Sequence, residues 1–136
     1  MLVLRINVTA NWRLIRTLDP LLRRSDAGRV IFVTTGVAQS ARAYWAPYSV
    51  SKAALECLAR TYANETSDSP IKVNLIDPGA TATKMRAEAY PGEDQATLRT
   101  PEAIAETFVP LAMPDYLETA QTVEAWKTVK RPSAVG

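Results

Sequence analysis

Tyr48 and Lys52 stand four residues apart in the segment Tyr48-Ser49-Val50-Ser51-Lys52, a spacing that puts a phenol and an ammonium on one helical face. A free tyrosine ionises near pH 10, too high for acid–base work at neutral pH. A cation held beside it stabilises the phenolate and draws the pKa toward the working range. The same spacing also arises by chance, as a solvated lysine beside a half-buried tyrosine, so its meaning depends on its surroundings. Thirteen residues before Tyr48, Thr35 offers a hydroxyl just past the apolar run Val30-Ile31-Phe32-Val33. The ends of such strands are where open α/β sheets bind ligands, and a hydroxyl there can hydrogen-bond a substrate oxygen. Ser40 is a second nearby hydroxyl whose spacing fits worse. Tyr44 and Trp45 precede the Tyr48 segment and suit either a pocket wall or simple packing.

The elements that must hold these groups are legible in the apolar pattern. Ile6, Ala10, Leu14, Leu18, Leu21 and Leu22 recur at three- and four-residue spacing and predict an amphipathic helix from Leu4 to Leu22, which Pro20 is expected to kink or shorten. Ser25, Asp26 and Gly28 then make a turn into a buried strand, Val30 to Val33. Thr34 to Tyr44 reads as a loop. Pro47 suits the first turn of a long helix running toward Glu65, and Ile71 to Ile76 reads as a second strand stopped by Asp77-Pro78-Gly79. Ala80 to Arg99 is too long for an ordinary connector and reads as a binding loop or lid. Thr100 caps a short helix that starts with Pro101 and carries Glu102 and Glu106 near its positive end. Gln121 to Trp126 is expected to form a third strand, and 127–136 a flexible tail. Alternating helices and buried strands give an α/β fold with a parallel sheet. Two or three strands are few for two long helices, so further strands are expected before Met1.

Composition removes whole classes of function. The 136-residue chain is 47% hydrophobic and 22% charged, with 16 basic and 14 acidic residues, the profile of one ordinary folded domain. Scattered charge with a net of +2 gives no nucleic-acid footprint and no polybasic membrane patch. Without histidine and with one cysteine, the chain has no cluster that reads as a zinc site and no histidine-dependent hydrolase triad. Cys57 lies in an apolar-periodic segment and is expected to be a buried thiol. Arginines at 5, 13, 16, 23 and 24 interrupt the N-terminal apolar stretch, which argues against a membrane span or a signal peptide. A cytoplasmic location is the expectation.

Three blocks carry a resemblance. Gly28-Arg29-Val30-Ile31-Phe32-Val33-Thr34-Thr35-Gly36, then Tyr48-Ser49-Val50-Ser51-Lys52-Ala53-Ala54-Leu55, then Val73-Asn74-Leu75-Ile76-Asp77-Pro78-Gly79 resemble the short-chain dehydrogenase/reductase family in order and spacing, over about Asn7 to Gly79. The resemblance implies an incomplete Rossmann-like, doubly wound parallel sheet with only the later strands and helices. Residues 1–126 would form the C-terminal catalytic half of one domain, with a substrate loop at about 80–99. It further implies an NAD(P)-dependent oxidoreductase that transfers hydride between nicotinamide and a small-molecule carbonyl or alcohol.

Carried over by residue, Tyr48 is implied as the acid/base, and Lys52 as the group that lowers its pKa and bonds the nicotinamide ribose. Thr35 stands where the family usually has serine, its extra methyl restricting its rotamers. Asn7 is implied to hold a water of the proton relay; a polar residue in a first helical turn is the plainer reading. Pro78, Gly79, Thr81 and Thr83 match the loop around the nicotinamide end of NAD or NADP, while Tyr44, Trp45 and Met85, with Tyr90 and Pro91, would wall the substrate. Asn74 reads as structural. The two long helices are implied to pair in a homo-oligomer. Two departures stand out: no glycine loop suited to phosphates, and Thr119-Ala120-Gln121 where the family carries Thr-Gly-Gln, putting alanine in a turn that glycine enters freely. The alternative is a truncated, non-catalytic remnant acting at most as an interaction or structural module.

Overall fold

The computed structural model describes residues 1–132. The chain begins with consecutive helical segments, α1 (Leu2–Leu4), a π-helical stretch Arg5–Ala10 and α2 (Asn11–Leu22). Within the π segment's last turn, the Asn11 side-chain amide donates to the carbonyls of Ile6 at 3.2 Å and Asn7 at 3.0 Å. Widened turns of this kind recur at functional sites. Pro20 lies inside α2, which continues past it to Leu22, so the expected shortening does not occur.

Three parallel strands follow in the order β1-β2-β3: β1 (Arg29–Val33), β2 (Lys72–Asp77) and β3 (Thr122–Glu124). α3 (Val37–Ser40) and α4 (Ala46–Glu65) cross from β1 to β2. α5 (Lys84–Ala89), α6 (Pro101–Ala105) and α7 (Phe108–Ala112) cross from β2 to β3, and α8 (Ala125–Thr128) closes the described chain. Parallel pairing demands such long crossovers, which cover the sheet and bury its central strand from Val73 to Asp77. Val73 and Leu75 of β2 pack on one side with Phe32, Leu55, Ala59, Tyr62 and Ala63, whereas Ile76 packs on the other with Ile104, Leu111 and Ala125. The two-residue alternation of a strand produces this division.

Several expectations need correction. α3 lies in the stretch expected to be a loop, α5 and a 3-10 turn at Gln95–Thr97 lie in the expected polar lid, and α8 enters the expected tail, whose residues 133–136 lie outside the described residues. Short helices of four to six residues leave too little periodicity to be read. Cys57 is exposed, not buried: it sits two residues from Leu55 and from Ala59, about 200° around α4 from both and so opposite the face they bury. Thr100 caps α6 as expected, its hydroxyl accepting from the Ala103 N–H at 3.2 Å. Met1, Trp12, Leu14, Leu18 and Leu21 are exposed, and among the described residues β1 is paired on one side only.

Asn74, 1% exposed, is the bolt of the sheet's far side. Its amide donates to Glu118 O at 2.9 Å and its oxygen accepts from Gln121 N at 3.0 Å, while Ala120 N reaches Val73 O at 2.7 Å. These bonds hold Ala120 at φ 58°, a left-handed conformation that costs an alanine about 1–2 kcal/mol. Asn74→Leu takes away the partners of the Gln121 N–H and the Glu118 carbonyl, both in part-buried hydrogen bonds, and should lower stability by roughly 1–3 kcal/mol. Urea unfolding followed by circular dichroism checks this, and an unshifted midpoint would refute it.

Candidate active site

β1 and β2 end at the same level because Val33 pairs with Ile76, and Thr34 N extends the ladder to Ile76 O at 2.8 Å. Above these ends opens a cavity of about 910 Å³. Thr35, Trp45, Tyr48, Lys52, Pro78, Gly79, Thr81, Thr83 and Met85 all line it, as does Ser40. Three segments, 35–40, 45–52 and 78–85, thus deliver groups to one space. Asn7 and Tyr44 are not among its walls.

Tyr48 and Lys52 sit one turn apart near the start of α4, with the Lys52 ammonium 5.9 Å from the Tyr48 ring centroid. Lys52 Nζ donates to Val33 O at 2.9 Å, which anchors it to the strand end. The phenol is pushed above its ordinary pKa, first by burial and then by the Asp77 carboxylate, with the Thr35 hydroxyl opposing the rise. Burial pushes the Lys52 ammonium down. The expectation that Lys52 draws the phenol down is therefore not met in the protein alone. The ammonium is spent on a carbonyl and lies toward the ring, and burial disfavours both charged forms.

The loop carrying Thr35 is fixed from behind by Glu56, which is 4% exposed. Thr34 Oγ1 donates to Glu56 at 2.6 Å, Gln39 Nε2 donates to both carboxylate oxygens at 2.8 and 2.9 Å, and Arg60 donates at 3.0 Å. Glu56 lies one turn beyond Lys52, so a single face of α4 presents Tyr48, Lys52 and the loop's anchor in succession. Asn7 takes an indirect position: its amide donates to Ser51 Oγ at 2.9 Å, and that hydroxyl donates to Tyr48 O at 2.8 Å. The π-helical segment is thereby tied to α4 at the turn bearing Tyr48.

The turn after β2 is equally constrained. Asp77, 8% exposed, accepts from Gly79 N at 2.9 Å. Gly79 adopts φ +69°, and a Cβ there would lie 2.6 Å from Trp126 Cβ, so both conformation and space require glycine. Thr81 Oγ1 donates to Gly79 O at 3.3 Å, and Thr83 caps α5 by accepting from Arg86 N at 3.2 Å.

On the outer side, the Trp45 ring meets Tyr48 edge-on at 5.8 Å and stacks on Tyr90 at 5.8 Å. Met85 lines the cavity with 58% of its surface exposed. Tyr44, by contrast, is fully exposed with φ 67°, and Pro91 is likewise no wall; Trp45, Tyr90 and Arg42 occupy the place expected for Tyr44. Asp77 and Arg42 are among the polar wall residues that escaped the sequence reading. Asp77 was legible only as a strand terminator, although a strand-end carboxylate beside a cavity is itself a signal. Arg42 lies in a segment whose conformation gave no pattern. Among the described residues no group of acids and cysteine could hold a metal ion.

Since Asp77 raises the Tyr48 phenol, Asp77→Asn should move that pKa down, toward the ordinary tyrosine value. The Cζ resonance of ¹³C-labelled tyrosine, followed against pH with Tyr48→Phe as the assignment control, measures it. An unchanged or higher value would show that the carboxylate does not act on the phenol.

Comparison with known proteins agrees with this geometry. The family model described as short chain dehydrogenase matches residues 1–94. The uncharacterized oxidoreductase YciK of Escherichia coli is 40% identical over 107 residues, covering 79% of this chain and 42% of YciK. The chloroplastic NADPH-dependent aldehyde reductase 2 of Arabidopsis thaliana is 38% identical over 64 residues, covering 47% of this chain and 24% of its own. A short chain dehydrogenase structure from Salmonella enterica superposes with a TM-score of 0.87 at 38% identity, covering 90% of this chain and 51% of that one. Another from Escherichia coli, complexed with NADPH, gives a TM-score of 0.85 at 37% identity with coverages of 90% and 51%. The chain therefore spans about half the length of these relatives, and the three-stranded parallel sheet is the corresponding part of a Rossmann-like fold. By this match of motif, fold and site, the chain belongs to the short chain dehydrogenase family.

Proposed function

We propose that this chain is the catalytic half of an NAD(P)-dependent oxidoreductase that interconverts a carbonyl compound and an alcohol, with Tyr48 as the acid/base. The observation that carries this reading is the convergence of Tyr48, Lys52, Thr35 and the Pro78-Gly79 turn on one cavity at the strand ends. A relative complexed with NADPH supports the choice of cofactor class.

The residues present fit the nicotinamide end of such a cofactor. The Gly79 turn brings backbone to the cavity wall where a Cβ would collide with Trp126, and Lys52, Thr81 and Thr83 supply donors around it. Lys52 is the group for ribose hydroxyls, and Pro78 to Thr83 the cradle for the carboxamide side. A bound nicotinamide supplies the hydride chemistry, and the protein supplies position and electrostatics. Tyr48 gives its phenolic proton to the carbonyl oxygen in reduction and takes it back in oxidation. Thr35, on the adjoining loop, donates a hydrogen bond to the same oxygen and polarises it. The phenol, protonated at neutral pH, is the form that donates in reduction. Asn7, through Ser51, holds the turn that bears Tyr48 and stands at the inner end of a water-borne proton path.

A second reading is favoured by one observation. None of the five glycines lies in a strand-turn-helix suited to a pyrophosphate, so a chain acting alone would be a non-catalytic remnant serving interaction or structure. The exposed apolar residues of α2, Trp12, Leu14, Leu18 and Leu21, with Val50 of α4, suit a homo-oligomer in either case. Among the described residues no helix is long and apolar enough to cross a membrane, and a cytoplasmic role fits the reading.

Combining the chain with a polypeptide that covers the remainder of its relatives' length should give carbonyl-dependent oxidation of NADPH. Tyr48→Phe should then cut turnover at least about a hundredfold while cofactor binding, read by nicotinamide fluorescence, persists. Undiminished turnover would remove Tyr48 from the mechanism, and absence of turnover with every carbonyl tried would favour the remnant. The chain alone should bind NADPH weakly or not at all; saturable micromolar binding would contradict this.

A further inference from the structure

We propose that the outer half of the cavity selects a planar aryl carbonyl compound bearing a carboxylate, its ring against Trp45 and its anion on the Arg42 guanidinium. The inference rests on Tyr48 as the group that meets the carbonyl oxygen and adds the identity of what lies beyond it.

The charges on the cavity wall are unequal, and most are already spent. Lys52 donates to Val33 O, and Arg99 donates to the carbonyls of Val129 and Trp126 at 2.5 and 2.6 Å. Arg86 pairs with Glu93 at 2.5 Å, and the Glu124 carboxylate pairs with Lys127. Arg42 differs. Of its five N–H donors, one reaches the Tyr90 hydroxyl, and among the described residues no carboxylate lies within ion-pairing distance of it. It is nonetheless placed, with its Cζ 5.6 Å from the Trp45 ring centroid and 5.1 Å from that of Tyr90. A guanidinium steadied by two aromatic faces is ordered in advance, so less freedom is lost when it takes an anion bidentately.

Its position relative to Tyr48 sets the ligand's shape. The Tyr48 and Trp45 ring centres are 5.8 Å apart and Arg42 Cζ is 5.6 Å from the Trp45 centre, so the Tyr48 ring centre and the guanidinium both lie within one ring's reach of the same indole. A carbonyl at one end of a single aromatic ring and a carboxylate at the other matches that arrangement. The ring finds an aromatic surface to pack on, an arrangement favoured beyond simple burial. The Tyr90 ring continues the wall, and Arg86 lies 3.7 Å from its centroid. An aliphatic neutral carbonyl would use neither feature. A phosphate of the cofactor is the other anion the cation could take, and the experiment separates the two.

The full chain, labelled with ¹⁵N, is titrated with 4-acetylbenzoate, with its neutral isostere 4-acetylbenzamide and with inorganic pyrophosphate. The indole N–H resonance of Trp45, assigned by Trp45→Phe, is followed. The carboxylate should shift that resonance saturably and bind at least tenfold more tightly than the amide. Arg42→Ala should erase the preference, and Arg42→Lys should retain part of it. Equal binding of acid and amide, a preference surviving Arg42→Ala, or displacement of 4-acetylbenzoate by pyrophosphate would overturn the proposal. No cofactor enters the measurement, so it separates from the oxidoreductase reading. Tight, Arg42-dependent binding without turnover in the combined protein sinks only that reading, and turnover confined to neutral carbonyls sinks only this one.

Discussion

The parallel pairing of β1 with β2 is the constraint on which the rest depends. Its register puts Val33 opposite Ile76, so both strands run out at one height and the chain must leave each in a polar turn. One turn carries Thr35 and the other Asp77-Pro78-Gly79, and neither could reach Tyr48 if the strands were slipped. A one-residue slip would also exchange the faces of β2 and drive Asn74 into the wrong core. The crossover that parallel pairing requires is α4 itself, which explains why the helix bearing Tyr48 and Lys52 begins where the strands end. Fold and site are one geometric statement.

Three ties keep that geometry from drifting. Glu56 fixes the Thr35 loop to α4, Asp77 fixes the Gly79 turn to β2, and Ser51 fixes the π-helical segment to the turn of Tyr48. Each uses a buried or half-buried polar group with its partners satisfied, which costs little and specifies much. The electrostatic result is less expected than the geometry. Burial and the Asp77 carboxylate hold the Tyr48 phenol neutral, and Lys52, anchored on Val33 O, does not reverse this.

The sequence was most legible where periodicity and chemistry coincided. The unbroken run at β1, the strand-stopping Asp77-Pro78-Gly79 and the helical spacing of Tyr48 and Lys52 each state a local physical requirement, and all are found in place. Ala120 shows the same logic at finer grain, since it holds a left-handed φ that glycine would enter freely. What could not be read depends on contacts between distant residues. Tyr44 and Trp45 are adjacent and chemically alike, yet only Trp45 faces the cavity, because Tyr44 takes a left-handed φ and turns out to solvent. The exposure of Cys57 depends on which face α4 turns to the sheet. Arg42 gained meaning only once Trp45 and Tyr90, 45 residues apart in sequence, were seen to stack.

The central claim, that the Tyr48 phenol is the transferred proton's source, is tested most directly by changing that phenol's acidity alone. The measurement is the single-turnover rate of carbonyl reduction against pH, in the combined protein, with Tyr48 replaced by 3-fluorotyrosine, whose phenol is more acidic. The account predicts an alkaline limb of one proton that moves to lower pH with the fluorinated residue. A limb that stays in place would mean that another group donates the proton, and would contradict it.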